Sequence, residues 1–312
     1  NAMFKIVILS LVAISMLNSC GNRATEPRFV NLRGMVFGSY YSISYYCPQG
    51  NNYQTELDSL FKAINRSLSI YDPNSTISRI NRNETDIADN HFLEVLKYSL
   101  RVAEETEGSF DPTISPLVNA WGFGITERQK MTPERVDSLK ALIGFQNISV
   151  EGNRVIKKIP GISFDFNAIA VGYATDLAGK LLESRGIKTY MIDLGGDLIA
   201  RGLKPDGSAW RIGLEQPAVD RDAPQQWEYL VKMENRAVAT SGNYRKYFVE
   251  DGKRYAHIID PSTGFPVRHN LLSVAVFADN CITADAFSTA FMVMGFDKTL
   301  EFIKGRPDLE VF

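Results

Sequence analysis

Cysteine is nearly absent from this chain, with only Cys20, Cys47 and Cys281 among 312 residues. A disulfide-stapled fold is excluded at that density. Cys47 and Cys281 can pair in an oxidising compartment, but buried free thiols are the expected state. Histidine is as scarce: His91, His257 and His269 stand far apart in sequence, and no His/Cys cluster marks a zinc site. No charge of one sign dominates. With 34 basic and 36 acidic residues the formal charge is −2, so nothing points to nucleic acid or to an anionic membrane surface. Internal repeats and low-complexity segments are missing too. The N-terminal apolar run, Ile6 to Leu17, is too short for a spanning helix, which needs about 20 residues.

That run has another meaning. Asn1-Ala2 before Met3 reads as an expression remnant. Lys5, the apolar core and the small Ser19 before Cys20 then follow in the order of a bacterial lipoprotein signal, with Cys20 becoming the lipidated first residue. An ordinary secretory signal with an incidental cysteine is the plainer alternative. The expected organisation is a remnant and signal peptide over 1–19, a polar tether over 20–28 and a single domain over 29–312. The body would be exported, facing the periplasm and lipid-anchored to a bacterial membrane through Cys20.

Within the body, Phe29 to Tyr46 alternates and is rich in Val, Ile, Tyr and Phe, which predicts strand broken at Gly38. Helical spacing covers Tyr53–Leu68, a short piece capped by Ser75, His91–Glu105, Pro133–Ile143 with Thr132 as cap, and Ala168–Arg185. Short strands are predicted at Ile148–Val150, Val155–Ile156 and Ile162–Phe166. Further strands run from Lys188 to Ala278, among them Tyr255–Ile259, and two helices close the chain at Thr283–Met294 and Asp297–Lys304. Strands and helices intersperse without strict alternation, so the expected class is α+β.

Five stretches carry candidate chemistry. Gly108 to Gly124, GSFDPTISPLVNAWGFG, matches no helix or strand period. Glycine and proline break it, yet it is too apolar for a solvated loop. It is either a binding segment or a buried connector. Asp285 and Thr289 share one face near a helix start and can offer oxygen ligands to Mg²⁺ beside a phosphate. Taken alone, an Asp favouring the helix dipole and a Thr bonding its own backbone are the plainer explanation. Asp165 to Tyr173 ends a strand and opens a helix, where free N–H groups suit a phosphate; Asp165 binds a ligand or caps the helix. Asp193-Leu194-Gly195-Gly196-Asp197 is a ligand-approach turn or a plain hairpin. In His257 to Gly264, His257 is a general base or a half-buried strand histidine, and Asp260-Pro261 has a sufficient turn explanation.

The order of these stretches resembles the FAD:protein FMN transferases, the ApbE-type lipoproteins formerly called thiamine biosynthesis lipoproteins. The likeness adds Gly38-Ser39-Tyr40, the run Leu68 to Asn81, Ala239 to Tyr244 and Ala284 to Ala290 to those above, and it spans nearly the whole body. It implies a T-fold-related α+β architecture with FAD in a cleft between two lobes. It places flavin and ribityl contacts on Phe37, Tyr71, Ser109, Phe110 and Asp111, nucleotide contacts on Asp165 and Val171, and a flavin border on His257 and Ile259. It places Mg²⁺ on the Ala168 carbonyl, Asp285, the Ser288 backbone and Thr289. His257 and Asp285 would be catalytic, with His257 the first candidate base and Asp260 the second. Two residues depart from the family pattern: Val171, where relatives carry a charged side chain, and Phe37, where methionine is usual. The implied reaction moves FMN from FAD to a Thr or Ser hydroxyl of a target flavoprotein, a subunit of a respiratory or sodium-pumping electron-transport complex, and releases AMP. A Mg²⁺-dependent FAD pyrophosphatase and a non-catalytic FAD-binding lipoprotein remain as alternatives. Trp121 and Phe123 are expected to brace the Gly108–Gly124 segment, not to touch ligand.

Overall fold

The computed structural model describes residues 28–217, 224 and 226–312. The signal segment and Cys20 lie outside the described residues.

The chain enters through a hairpin of β1 (Phe29–Val36) and β2 (Ser39–Tyr46). Its turn residues Phe37 and Gly38 both have positive φ, 51° and 75°, the twist that matches paired strands. Helices α1 (Gln54–Leu68), α2 (Thr76–Asn81) and α3 (Asn90–Glu105) follow. The expected cap is present: Ser75 accepts from the Ser78 amide at 3.1 Å. The Gly108–Gly124 segment is not wholly irregular. It contains α4 (Ser115–Ala120), with Pro116 in the first turn, where a missing N–H costs nothing. Next come α5 (Pro133–Lys140), the β3–β4 ribbon (Ile148–Glu151, Arg154–Lys157) and α6 (Ala170–Ser184).

Residues Ile162–Phe166 are not a strand. Ser163 makes one isolated bridge to Ile114. The backbone of buried Phe164 is instead satisfied at both ends by the Asn81 side chain, at 2.9 and 2.7 Å. That amide stands in for a neighbouring strand.

The rest builds the main sheet. Strands β5 (Tyr190–Leu194), β6 (Asp197–Arg201), β9 (Arg236–Gly242), β12 (Ser273–Ala278) and β13 (Glu310–Val311) join the first hairpin in the order β1-β2-β5-β6-β9-β12-β13. Neighbours pair antiparallel throughout. One face carries α6 and the long C-terminal helix α7 (Cys281–Ile303), which pack on each other and on the central strands. Helix α7 breaks at Gly295, where φ is 75°, close to the gap expected between two closing helices. The opposite face is covered by a ribbon of β7 (Trp210–Glu215) and β8 (Trp227–Met233), whose Trp210, Ile212 and Met233 pack on Ala200, Val238 and Phe277. A satellite core of Leu117, Ala120, Trp121, Leu139 and Ile259 lies beside a second ribbon, β10 (Tyr247–Glu250) and β11 (Lys253–Ala256). The architecture is α+β, as expected. Cys47 and Cys281 are buried and free. Among the described residues no helix is long and apolar enough to cross a membrane.

Candidate functional site

The site grows from the seam between α6 and α7. Gly172 allows that seam to close: a Cβ there would lie 2.5 Å from the Cys281 carbonyl oxygen and 2.8 Å from the Asp285 Cβ. Its amide donates to Asp285 Oδ2 at 3.0 Å. The start of α7 is fixed by Asp176, which accepts from the Cys281 and Ile282 amides at 2.7 and 2.9 Å, and by Asn280, which accepts from the Thr283 amide at 3.0 Å. Asp285, 7% exposed, is thus held in place from two elements.

Asp285 is not alone. Asp197, at the start of β6, is hydrogen-bonded to it, and both carboxyls are pushed above their usual range, by burial first. The charge of Asp285 adds to the effect on Asp197. One turn along α7, Ser288 Oγ lies 2.7 Å and Thr289 Oγ1 3.1 Å from Ser241 Oγ. Ser288 Oγ also donates to the Asp285 carbonyl at 2.9 Å. Two carboxyls and three hydroxyls therefore converge from β6, β9 and α7. No group of three or more His, Cys, Asp or Glu positioned for a metal occurs among the described residues, so any cation here relies on hydroxyl and carbonyl oxygens for its other ligands. Ala168, whose carbonyl the resemblance offers as one such ligand, is in the turn just before α6.

Around the start of α6 the other expected residues gather. Asp165 is 7% exposed; its Oδ1 accepts from the Asn167 amide at 2.8 Å, and its own amide donates to the Pro112 carbonyl at 2.9 Å. That last bond ties the 108–124 segment to α6. Tyr71 is 66% exposed, and its hydroxyl reaches Asn167 and feels the Asp165 charge. Val171 is half-buried in the first turn of α6. Phe110 is buried, and Ser109 is half-buried beside it. Asp111 faces inward: Oδ1 accepts from the amide and hydroxyl of Thr113 at 2.8 and 2.6 Å, and Oδ2 from the Phe145 amide at 3.1 Å. Its carboxylate shapes the loop. Phe37 packs edge-on against Phe61 at 6.0 Å, at a hairpin tip that touches the Gly195 turn leading to Asp197.

His257 is not on a strand. β11 ends at Ala256, and the chain turns through Asp260, whose Oδ1 accepts from the amide and hydroxyl of Ser262 at 2.8 and 2.6 Å. The imidazole is half-buried, with Nδ1 3.2 Å from the Lys246 carbonyl, and burial pulls it down to about 4; the Lys246 charge acts in the same direction. It is therefore neutral at pH 7. Ile259 is buried in the satellite core. Trp121 and Phe123 brace as expected: Trp121 stacks on Tyr255 at 5.5 Å and donates to the Gly264 carbonyl at 2.9 Å, while Phe123 stacks on Phe248 at 5.5 Å.

Sequence reading did not name Asp197, Ser241 or Lys246 as site residues. Asp197 and Ser241 stood in stretches already singled out, but their meeting with Asp285 and Ser288 depends on strand order. Lys246 carried no signal beyond following Ala239–Tyr244.

A family model described as the ApbE family matches residues 37–312. The FAD:protein FMN transferase of Vibrio cholerae is 37% identical over 297 residues, covering 92% of this chain and 87% of that protein. The protein of the same name from Escherichia coli is 35% identical over 268 residues, covering 83% and 74%. Among solved structures, the flavin transferase ApbE from Vibrio cholerae superposes with a TM-score of 0.82 at 36% identity, covering 91% of this chain and 93% of that one. The apo flavinyl transferase ApbE of Pseudomonas stutzeri gives 0.81 at 32%, covering 91% and 90%. With the fold, the seam and these relatives in agreement, the chain belongs to the ApbE family.

Proposed function

We propose that this protein is a flavin transferase that moves FMN from FAD onto a threonine or serine hydroxyl of a target flavoprotein, forming a phosphoester and releasing AMP. Kinship with FAD:protein FMN transferases supports the activity. The observation that carries the chemistry is the Asp285–Asp197 pair, set against the Ser288 and Thr289 hydroxyls beside the start of α6.

Two carboxyls in contact share a proton or need a cation, because both cannot ionise freely. An all-oxygen donor set suits Mg²⁺. Asp285, Asp197, Thr289, Ser288 and the Ala168 carbonyl would hold it, and when bound it supplies charge neutralisation at the phosphate oxygens. The α6 amides orient the phosphates. Tyr71 offers an exposed aromatic face for a flavin ring. The target hydroxyl forms a bond to the FMN phosphorus as the bond to the AMP phosphate breaks. Neutral His257 would take the hydroxyl proton. The target belongs to a respiratory or sodium-pumping complex, and the enzyme reaches it from the periplasmic side, anchored through Cys20.

The test is incubation with FAD, Mg²⁺ and a fragment carrying Asp-Gly-x-Ser/Thr-Gly-Ala-Thr, the short motif that the resemblance implies for target proteins. Covalent flavin on the fragment is the expected result. FMN and AMP without label would make the protein a pyrophosphatase, and intact bound FAD would make it a carrier.

A further inference from the structure

We propose that Lys246 holds the phosphate groups of the nucleotide substrate, as a cation supplied by the β9–β10 connection. The proposal rests on the flavin-nucleotide reading above and adds to it a residue that sets affinity for the anionic part of the ligand.

The site as built is acidic. Asp165, Asp193, Asp197 and Asp285 border it, and the residues expected from the sequence include no lysine or arginine. A pyrophosphate brought into such surroundings needs positive charge on the side away from the α6–α7 seam as well. Four arginines lie near that side, and each is engaged. Arg245 pairs with Glu215. Arg254 lies 3.9 Å from the Tyr247 ring centroid and donates to the Asn243 carbonyl. Arg128 pairs with Glu250 at 3.2 Å and covers Phe248. Arg268 lies over Tyr255 at 5.7 Å.

Lys246 differs from all four. Its backbone is pinned, because both the amide and Nδ1 of His257 meet its carbonyl, at 3.0 and 3.2 Å. Its side chain is exposed, and among the described residues its ammonium makes no ion pair or hydrogen bond. Its charge nonetheless reaches both Asp165, which it lowers, and His257, which it also lowers. The Lys246 backbone thus lies against His257, and its exposed side chain is within electrostatic reach of Asp165, just before α6, so the ammonium belongs to the side of the site where the reacting phosphates would lie. A compact ammonium on a flexible stem, with three rotatable donors, suits a phosphate that changes shape during transfer.

The experiment is a flavin-fluorescence titration of the full-length protein and its Lys246→Met and Lys246→Arg variants, with FAD and with riboflavin, at low and high salt. The expected result is FAD binding weakened about tenfold or more in Lys246→Met, with a flattened salt dependence. Lys246→Arg should stay within about threefold of the parent, since it keeps the charge. Riboflavin, which has no phosphate, should bind all three alike. Displacement by AMP or by FMN then tells which phosphate the ammonium holds: the competitor that Lys246→Met weakens carries it. Unchanged FAD affinity and salt dependence in Lys246→Met would overturn the proposal. Equal weakening of riboflavin and FAD would overturn it too, by assigning Lys246 a structural role. If the parent binds no FAD at all, the flavin-nucleotide reading falls and this proposal with it; if the parent binds and Lys246→Met binds equally, only this proposal falls.

Discussion

The α6–α7 seam and the aromatic wall around Trp121 border the same site but are built from opposite materials. The seam packs two helices so closely that Gly172 has no room for a methyl group, and it buries carboxyls and hydroxyls in direct contact. The wall stacks Trp121, Tyr255 and Phe248 at 5.5 and 5.2 Å, with one polar tether from the indole to the Gly264 carbonyl. Holding two carboxyls together is unfavourable, and only a rigid frame sustains it until a partner for the charge arrives. The wall stores no such tension. Its rings gain stability simply by leaving water. Chemistry belongs to the seam, and shape belongs to the wall.

The strongest way to break this contrast is Asp285→Ala. A loss of about 10³-fold in flavin transfer is expected, as for removal of a group that acts on developing charge. The rise in melting temperature on adding Mg²⁺ should vanish as well; without metal, relief of Asp197 from the like charge opposes the loss of the Gly172 amide's acceptor, so variant and parent should differ less there than they do with Mg²⁺. Full transfer by the variant would take the chemistry out of the seam. Trp121→Ala should do the reverse: about 3 kcal/mol of stability lost in urea unfolding, from an emptied cavity and an orphaned Gly264 carbonyl, with Mg²⁺ stabilisation retained. A variant with parental stability would show that the wall is not structural. Gly172→Ala sharpens the comparison by pushing the helices apart. Overpacking of this kind costs about 1–3 kcal/mol, and it should weaken Mg²⁺ stabilisation together with stability, because the Gly172 amide also positions Asp285. Unchanged Mg²⁺ stabilisation would mean that the seam tolerates displacement.

Local features of both regions were legible in the chain. Caps at Ser75 and Thr132 form because a hydroxyl placed before a helical period has one good partner, the amide three residues on. The bracing role of Trp121 follows from an apolar residue among turn formers. Long-range meetings were not legible. Asp197 reaches Asp285 only because β6 lies beside β9 in the sheet, under α7, an arrangement that no local period encodes. Asn81 replaces a strand partner for Phe164 across a similar gap, which is why a strand was expected where none forms. The short helix at Ser115–Ala120 was hidden because its six residues are fewer than two turns, too few for a period to declare itself.

The smallest effect concerns the residue that joins the two regions. His257 meets the wall through Phe123, at 6.3 Å edge-on, and shares with Asp165, just before α6, the influence of the Lys246 charge. Its imidazole is held down to about 4, by burial first. An unfolded chain takes up that proton near pH 6.5, whereas the folded chain does not until about pH 4. Above pH 6.5 the histidine therefore costs nothing, and as pH falls from 6.5 toward 4 it favours the unfolded state. Unfolding free energies of the parent from urea titrations should fall over that window relative to His257→Gln, by under about 1 kcal/mol at pH 6, and the two proteins should respond to pH alike above neutrality. Lys246→Met should shrink the difference, because it removes the second cause of the shift while leaving burial in place. Parallel pH responses of parent and His257→Gln across the window would mean that the imidazole is solvated, and the wall would then lose its one link to proton transfer.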